Sequence, residues 1–327
     1  MKRNIAVVAG GDSSEIVVSM KSAQGICSFL DREKYVFYIV IVKRNEWRVI
    51  LPGGGEADID RNDFGFREEG IVKRFDFAYI TIHGTPGEDG LLQGYFELIG
   101  MPYSSCNPLV SALTFNKFAC NTYLRGFGIC VAESIRLRKG ESRTDEEIAA
   151  RLGLPVFVKP NDGGSSFGVT KVKTQEGLQP AIAKAFAEGK EVIVERCITG
   201  VELTCGCYKT REKAVVFPLT EVVTDNEFFD FDAKYNGQSD EITPARIPAE
   251  YAEKLQQTTS KIYDILGAKG IIRIDYILPD RGEPVLLEIN TVPGMTNASF
   301  IPQQVRAAGL DIKDVMTDII DNELIKL

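Results

Sequence analysis

The sequence predicts an α/β protein of more than one domain, and three observations carry that reading. Strand and helix signals alternate through the first hundred residues, a glycine-rich loop follows an apolar strand near residue 160, and a late apolar hairpin bears polar side chains at alternate positions. At 327 residues the chain exceeds what one hydrophobic core usually organises, so two or three units with clefts between them are expected.

Residues 5–9 read as a buried strand running into a glycine turn at Gly10-Gly11, with a helix after it. Strands at 35–42 and 77–82 and a helix around 91–99 complete a small doubly wound domain. A second unit begins near Cys106. Thr144 and Glu147 have capping-box spacing, and Gly153 stops that helix before a strand at 156–159. The unit closes near a strand at 192–195. Beyond it come further strands, a helix from about Ala249 to Leu266 ended by Gly267, the hairpin, and a final helix whose Ile312, Val315, Met316, Ile319 and Ile320 form a core stripe. Residues 225–241 are charge-rich without periodicity and read as a long loop.

Net charge is -8, from 38 basic and 46 acidic residues with no basic stripe, which argues against nucleic acid or an anionic membrane as partner and favours a small molecule. The seven cysteines (Cys27, Cys106, Cys120, Cys130, Cys197, Cys205, Cys207) form no C-x-x-C pair and read as reduced core thiols. No apolar run approaches the roughly 20 residues of a membrane span, and the first strand leads straight into a glycine turn, so a cytoplasmic protein is expected. His83 is the single histidine, which excludes a polyhistidine zinc site and any Ser-His-Asp triad away from it.

The late hairpin is the most informative segment. Strand side chains alternate faces, so Arg273 shares a face with Asp275, and Glu288 with Asn290, while Leu287 and Ile289 take the other side. Two carboxylates and an amide oxygen then converge beside an arginine. Mg²⁺ prefers such an incomplete cage of hard oxygens when phosphate supplies the other ligands. The alternative, a solvated strand face with a surface ion pair, is weakened by the apolar flanks, because buried carboxylates are costly without a cation.

Residues 159–168 read Lys-Pro-Asn-Asp-Gly-Gly-Ser-Ser-Phe-Gly, with backbone N–H groups able to wrap phosphate oxygens. The run does not match G-x-x-x-x-G-K-[ST], and Gly10-Gly11 lacks dinucleotide spacing, so neither a P-loop nor a Rossmann site is indicated. Lys159, at the strand end entering this loop, is either a surface residue or a point-charge clamp on a nucleotide phosphate, and the coexisting loop and metal cage favour the clamp. Glu195-Arg196-Cys197-Ile198 leaves another strand and could offer an acid and backbone groups to an adenine edge, although by itself a strand simply exiting to solvent is the stronger reading.

These segments together resemble the D-alanine:D-alanine ligases of the ATP-grasp superfamily over nearly the whole chain. Four motifs carry the likeness: Gly10-Gly-Asp-Ser-Ser-Glu15 with Ser19, His83-Gly-Thr-Pro-Gly-Glu-Asp-Gly90, Lys159-Pro-Asn-Asp-Gly-Gly-Ser165-Ser166, and Arg273-Ile-Asp275 followed by Leu287-Glu-Ile-Asn290-Thr-Val-Pro-Gly294-Met-Thr. Asp232-Ala-Lys234-Tyr235 adds a more specific match. The resemblance implies an N-terminal doubly wound α/β substrate domain at 1–105, a central ATP-grasp subdomain at 106–195, and a C-terminal subdomain at 196–327 with metal site and lid loop. The last two clasp the nucleotide.

It also implies a reaction in which the carboxylate of one D-alanine attacks the γ-phosphate of ATP, and the amine of a second displaces phosphate from the acyl phosphate. The product would be a peptidoglycan precursor. Asp275, Glu288 and Asn290 would hold two Mg²⁺ ions, with Mn²⁺ as a substitute. Lys117, Lys159, Ser165 and Ser166 would grip phosphates, Lys234 the γ-phosphate, Glu195, Arg196 and Ile198 the adenine, and Glu202 the ribose. Arg273 and the Gly294 amide would form an oxyanion hole. Glu15, with His83 nearby, would fix the first ammonium and Ser299 the second carboxylate. Glu15, Ser165 and Tyr235 would bond to one another across the domains, and a homodimer is implied.

Glu15 also lies three residues after Asp12, a capping-box spacing that offers a purely structural role. Val17 stands where many members carry an acid, and Asp162-Gly163 departs from the more usual pairing in the phosphate loop. Lys234-Tyr235 favours an amine over D-lactate as second nucleophile. The competing readings are a ligase taking D-serine or D-lactate second, and a nucleotide-binding regulatory protein without turnover.

Overall fold

The computed structural model describes residues 2–12, 15–141, 143–164, 167–224, 239–280 and 282–325. Three β-sheets, each with its own helices, organise them.

The first sheet holds β1 (Arg3–Gly10), β2 (Tyr35–Lys43), β3 (Glu46–Ile50), β4 (Glu56–Asp60), β5 (Gly65–Glu68), β6 (Ile71–Lys73) and β7 (Phe77–Ile80), in the order β6-β5-β4-β3-β2-β1-β7. β1 runs parallel to β2 and β7. Its apolar run is buried on both faces. Ile5, Val7 and Ala9 pack with Ala23 and Ile26 of α1 (Ile16–Phe29), while Ala6 and Val8 pack with Leu92 and Phe96 of α2 (Leu91–Ile99). The doubly wound expectation therefore holds for the parallel part. The antiparallel meander β3–β6 was not legible, since its strands are short and mostly exposed at alternate positions. The Asp12–Glu15 capping box does not form: Glu15 itself occupies the N-cap position without a side-chain capping hydrogen bond, and Asp12 accepts the Arg44 N–H at 3.1 Å.

After α3 (Pro108–Phe115) and α4 (Lys117–Arg125) comes an antiparallel sheet of β8 (Ser134–Arg138), β9 (Val156–Pro160), β10 (Thr170–Val172) and β11 (Glu191–Arg196), ordered β10-β9-β11-β8. α5 (Asp145–Leu152) and α6 (Leu178–Glu188) cover it, sharing its core through Ile148, Leu152, Ala181 and Ala185. Thr144 and Glu147 make the reciprocal capping box, and Gly153 ends α5 at φ 73°. Val110, Cys120 and Leu124 of α3 and α4 instead join the core of the third sheet.

That sheet contains β12 (Val201–Lys209), β13 (Ala214–Val216), β14 (Thr220–Thr224), β15 (Ser239–Ile242), β16 (Ile272–Leu278) and β17 (Val285–Asn290). It is flanked by α7 (Ala249–Leu266), α8 (Phe300–Ala307) and α9 (Ile312–Leu324). The buried stripe Val315, Met316, Ile319 and Ile320 is core, and it packs against the first sheet's Ile5 and Val7.

Two further expectations need correction. Residues 239–241 belong to β15, paired with β14, so the segment 225–241 is not loop throughout. Cys130 is exposed and Cys27 and Cys197 only partly buried, since Cys130 and Cys197 lie in connecting segments and Cys27 in the last turn of α1. Among the described residues no helix is long and apolar enough to cross a membrane.

Candidate active site

β16 alternates strictly: Ile272, Ile274, Tyr276 and Leu278 are buried in the third core, which turns Arg273, Asp275 and Ile277 toward a cleft. Asp275 lies directly opposite Glu288, and Arg273 opposite Asn290. The pairing slips between Asp275 and Tyr276, leaving Leu287 without a partner. This bulge reorients the strand, so Leu287 lines the cleft beside Glu288 instead of taking the opposite face. Arg273 donates twice to Asp275, Nε to Oδ1 at 2.9 Å and Nη2 to Oδ2 at 2.7 Å. Thr204 Oγ1 (2.6 Å) and Asn290 Nδ2 (3.2 Å) complete four donors to that carboxylate. Since Asn290 donates through nitrogen, its amide oxygen is turned away from Asp275. Two facing carboxylates and an amide oxygen are a hard-oxygen set that fits Mg²⁺ or Mn²⁺. Among the described residues no group of three His, Cys, Asp or Glu could hold a metal, so further ligands would have to come from phosphate or water.

The cleft of about 740 Å³ on one side of this hairpin is lined by Lys117, Lys159, Glu195, Ile198, Glu202 and Glu288, among others. Lys159, on β9, reaches Glu195 Oε2 at 2.5 Å, and Asn121 Nδ2 donates to the other oxygen at 3.3 Å. Burial pulls the Lys159 pKa down, but Glu195, Glu288 and Glu202 more than reverse this and hold it above the ordinary lysine value. Lys117 Nζ donates to Gly163 O at 2.7 Å and lies 3.4 Å from Glu288, bridging the phosphate loop and the hairpin. Arg196 also lines the cleft, while its guanidinium donates to Leu152 O at 2.9 Å and approaches Glu133 at 3.3 Å.

A second chamber of about 590 Å³ is lined by His83, Glu88, Asn290, Gly294 and Ser299. Glu15, Lys117, Arg273 and Glu288 line both, so these four side chains stand where the two meet. Glu15 also abuts the phosphate loop: a side chain at Gly164 would meet its carboxylate at 3.1 Å. Ser299 Oγ accepts the Thr296 N–H at 3.0 Å and lies 2.9 Å from Thr296 Oγ1, closing the loop that carries Gly294. The Arg273 guanidinium lies 5.2 Å from the centroid of the Phe300 ring, a cation–π contact that steadies its plane.

Burial, with the Arg273 charge, depresses the His83 pKa to about 4, so the ring is neutral. Glu88 behaves oppositely. Burial raises its carboxyl to about 8, with Glu15 and Glu288 reinforcing the shift and the Gly84 N–H and Lys117 opposing it.

Ser165, Ser166, Lys234 and Tyr235 lie outside the described residues. Sequence reasoning gave no role to Glu88, Thr204 or Ser22. Glu88 lies within the His83–Gly90 motif, where its residue type does not announce its burial, whereas Thr204 and Ser22 are ordinary strand and helix residues whose importance exists only in three dimensions.

Residues 4–106 match the family described as D-ala D-ala ligase N-terminus, and residues 123–321 match D-ala D-ala ligase C-terminus. The chain is 74% identical over 324 residues to the D-alanine--D-alanine ligase of Parabacteroides distasonis, covering 99% of this chain and 98% of that one. Among solved structures it is similar to the VanG D-Ala:D-Ser ligase of Enterococcus faecalis, with a TM-score of 0.85, 32% identity, and coverage of 100% and 99%. It is also similar to the Bacillus anthracis D-alanine--D-alanine ligase complexed with ATP, with a TM-score of 0.78, 29% identity, and coverage of 99% and 98%.

Proposed function

The chain belongs to the D-alanine:D-alanine ligase family, and we propose on that basis that it joins two D-alanine molecules at the expense of ATP, supplying the dipeptide for peptidoglycan synthesis. The observation that carries this reading is the meeting of two chambers at Glu15, Lys117, Arg273 and Glu288. A nucleotide in the larger chamber would present its terminal phosphate there, and an amino acid in the smaller one its carboxylate.

The reaction balances in two steps. A carboxylate oxygen of the first D-alanine bonds to the γ-phosphorus as the bond to ADP breaks, giving D-alanyl phosphate. The amine of the second then attacks the acyl carbon, losing a proton, and inorganic phosphate leaves with the electrons of the broken C–O bond. Lys117 and Lys159 fix phosphate oxygens, joined by Ser165, Ser166 and, at the γ-phosphate, Lys234. Ile198, with the strand end at Glu195-Arg196, borders the adenine, and Glu202 the ribose. Arg273 and the Gly294 N–H receive the oxyanion of the tetrahedral intermediate; a fixed donor of this kind can contribute ~3 kcal/mol. Glu15 holds the first ammonium with His83 beside it, and Ser299 the second carboxylate. Glu15, Ser165 and Tyr235 close over the reactants. Mg²⁺ held by Asp275, Glu288 and Asn290 would neutralise charge on the transferring phosphate.

The N-terminal unit, 1–105, would supply the substrate side and 106–195 with 196–327 the nucleotide side. The protein would work in the cytoplasm as a homodimer. The test is ADP release with and without D-alanine, with mass-spectrometric identification of the product when D-alanine, D-serine and D-lactate compete. D-alanine-dependent ADP release and D-alanyl-D-alanine are expected. A dominant mixed product would transfer the chain to the D-serine or D-lactate specificity, and ATP binding without D-alanine-dependent turnover would point to a regulatory protein.

A further inference from the structure

One face of α1 is polar where a helix this buried should be apolar. Glu15, at its start, is followed by Ser19 and Ser22 at the i+4 and i+7 positions, and both serines are at most 1% exposed. Each reaches a different loop of the site. Ser19 Oγ accepts the Gly10 N–H at 3.0 Å, and its carbonyl accepts from Thr81 Oγ1 at 3.3 Å. Ser22 Oγ lies 3.3 Å from the Met295 N–H and 3.4 Å from His83 Nε2. Gly25 extends the same stripe. Its Cα lies so close to the Gly294-containing loop that an added Cβ would sit 2.0 Å from Met295 O, which no side chain tolerates.

The Met295 amide can only donate, so Ser22 accepts from it. Buried hydroxyls generally donate as well as accept, and among the described residues the acceptor that faces Ser22 Oγ is His83 Nε2. With the hydroxyl proton placed there, the ring nitrogen facing Ser22 is unprotonated and the proton of the neutral imidazole sits on Nδ1. We infer that Ser22 is a positioning residue, fixing the Nδ1–H form of His83 and seating the Gly294–Met295 loop against the helix that carries Glu15. The first-substrate side and the oxyanion donor are then set by one rigid element. This rests on the ligase reading for its kinetic consequence, though not for the tautomer.

His83 is the only histidine, so protein labelled with ¹⁵N in histidine reports one imidazole. The expected spectrum of the substrate-free parent at pH 7 shows protonated Nδ1 and unprotonated Nε2. In Ser22→Ala the Nε2 resonance shifts, turnover falls roughly 10-fold or more through loss of alignment, and the dissociation constant of an ATP analogue stays within twofold. Gly25→Ala, which wedges the loop away, should lower turnover further with the same unchanged nucleotide affinity. A parent ring protonated on Nε2 overturns the inference, as does turnover within twofold of the parent in both variants. Should Ser22→Ala not fold, the parent spectrum and Gly25→Ala decide. The spectrum is read without substrate, so a wrong tautomer and a missing D-alanine dependence are separate failures.

Discussion

Arg273 and Asp275, two residues apart on one strand face, form a bidentate pair through Nε–Oδ1 at 2.9 Å and Nη2–Oδ2 at 2.7 Å. The fork fixes the guanidinium plane, and Phe300 buttresses it. Lysine keeps the charge and loses that geometry. Arg273→Lys should therefore lower kcat about 100-fold while the KM for ATP moves severalfold at most. Equal losses in both parameters would show that Arg273 serves nucleotide binding and not the oxyanion.

Among the described residues, Lys159 and Glu195 form the most enclosed ion pair lining the larger chamber, at 2.5 Å with 13% and 6% of their side chains exposed. Breaking a buried pair from one side leaves a bare charge. Glu195→Gln should destabilise the ligand-free protein by about 3 kcal/mol in urea unfolding. Saturating ATP should recover part of the loss, since a phosphate can take Glu195's place beside the ammonium. The raised Lys159 pKa means the native state holds its proton more tightly than the unfolded chain. That contribution is full below the ordinary lysine value of 10.5 and disappears only as pH climbs through the raised value, so the parent–variant gap should persist at pH 9. A gap that closes near neutrality would refute the pairing.

The hairpin chemistry was legible because strand periodicity fixes faces: Arg273, Asp275, Glu288 and Asn290 meet as their spacing demands. Leu287 was misread because a bulge adds one residue and flips the local alternation, which no residue type in Val-Leu-Leu-Glu announces. α7 was bounded correctly since Gly267 takes φ 59° at its end, a conformation other residues resist. The meander at 46–73 escaped notice because its strands are short, β6 only Ile71–Lys73, and bury at most one or two residues each, such as Val49, Ile59 and Phe66, so that no period-2 run stands out. Arg196 shows the limit from the other side. The segment Glu195-Arg196 does border the larger chamber, but strand alternation, which the sequence alone does not tie to any partner, sends the Arg196 side chain to Leu152 and Glu133.

His83 offers a prediction in acid. Its folded pKa of about 4 lies below the ordinary 6.5, so between those values the unfolded chain binds a proton that the native state refuses. Stability must then decline as pH falls from 6.5 toward 4, by about 3 kcal/mol from this residue. His83→Gln should remove that part of the slope in unfolding measured at pH 7, 5.5 and 4.5. A parent and variant with parallel profiles would mean that the imidazole charges freely in the folded protein.

Glu88 works in the opposite direction. Its carboxyl accepts the Gly84 N–H at 2.7 Å, yet burial and the facing Glu15 and Glu288 keep it protonated up to about pH 8. From the ordinary 4.5 up to 8 the native state holds a proton that the unfolded chain releases, so this residue's contribution is complete below 4.5 and is lost as pH rises through 8. Glu88→Gln keeps an oxygen for Gly84 and has nothing to titrate. The variant should equal the parent near pH 5, exceed it in stability at pH 8.5, and show a flatter profile between. Profiles that coincide from pH 5 to 9 would place an ionised carboxylate at Glu88 in the smaller chamber. The balance of charge around Glu15 and Lys117, and with it the chamber's preference for an ammonium group, would then have to be redrawn.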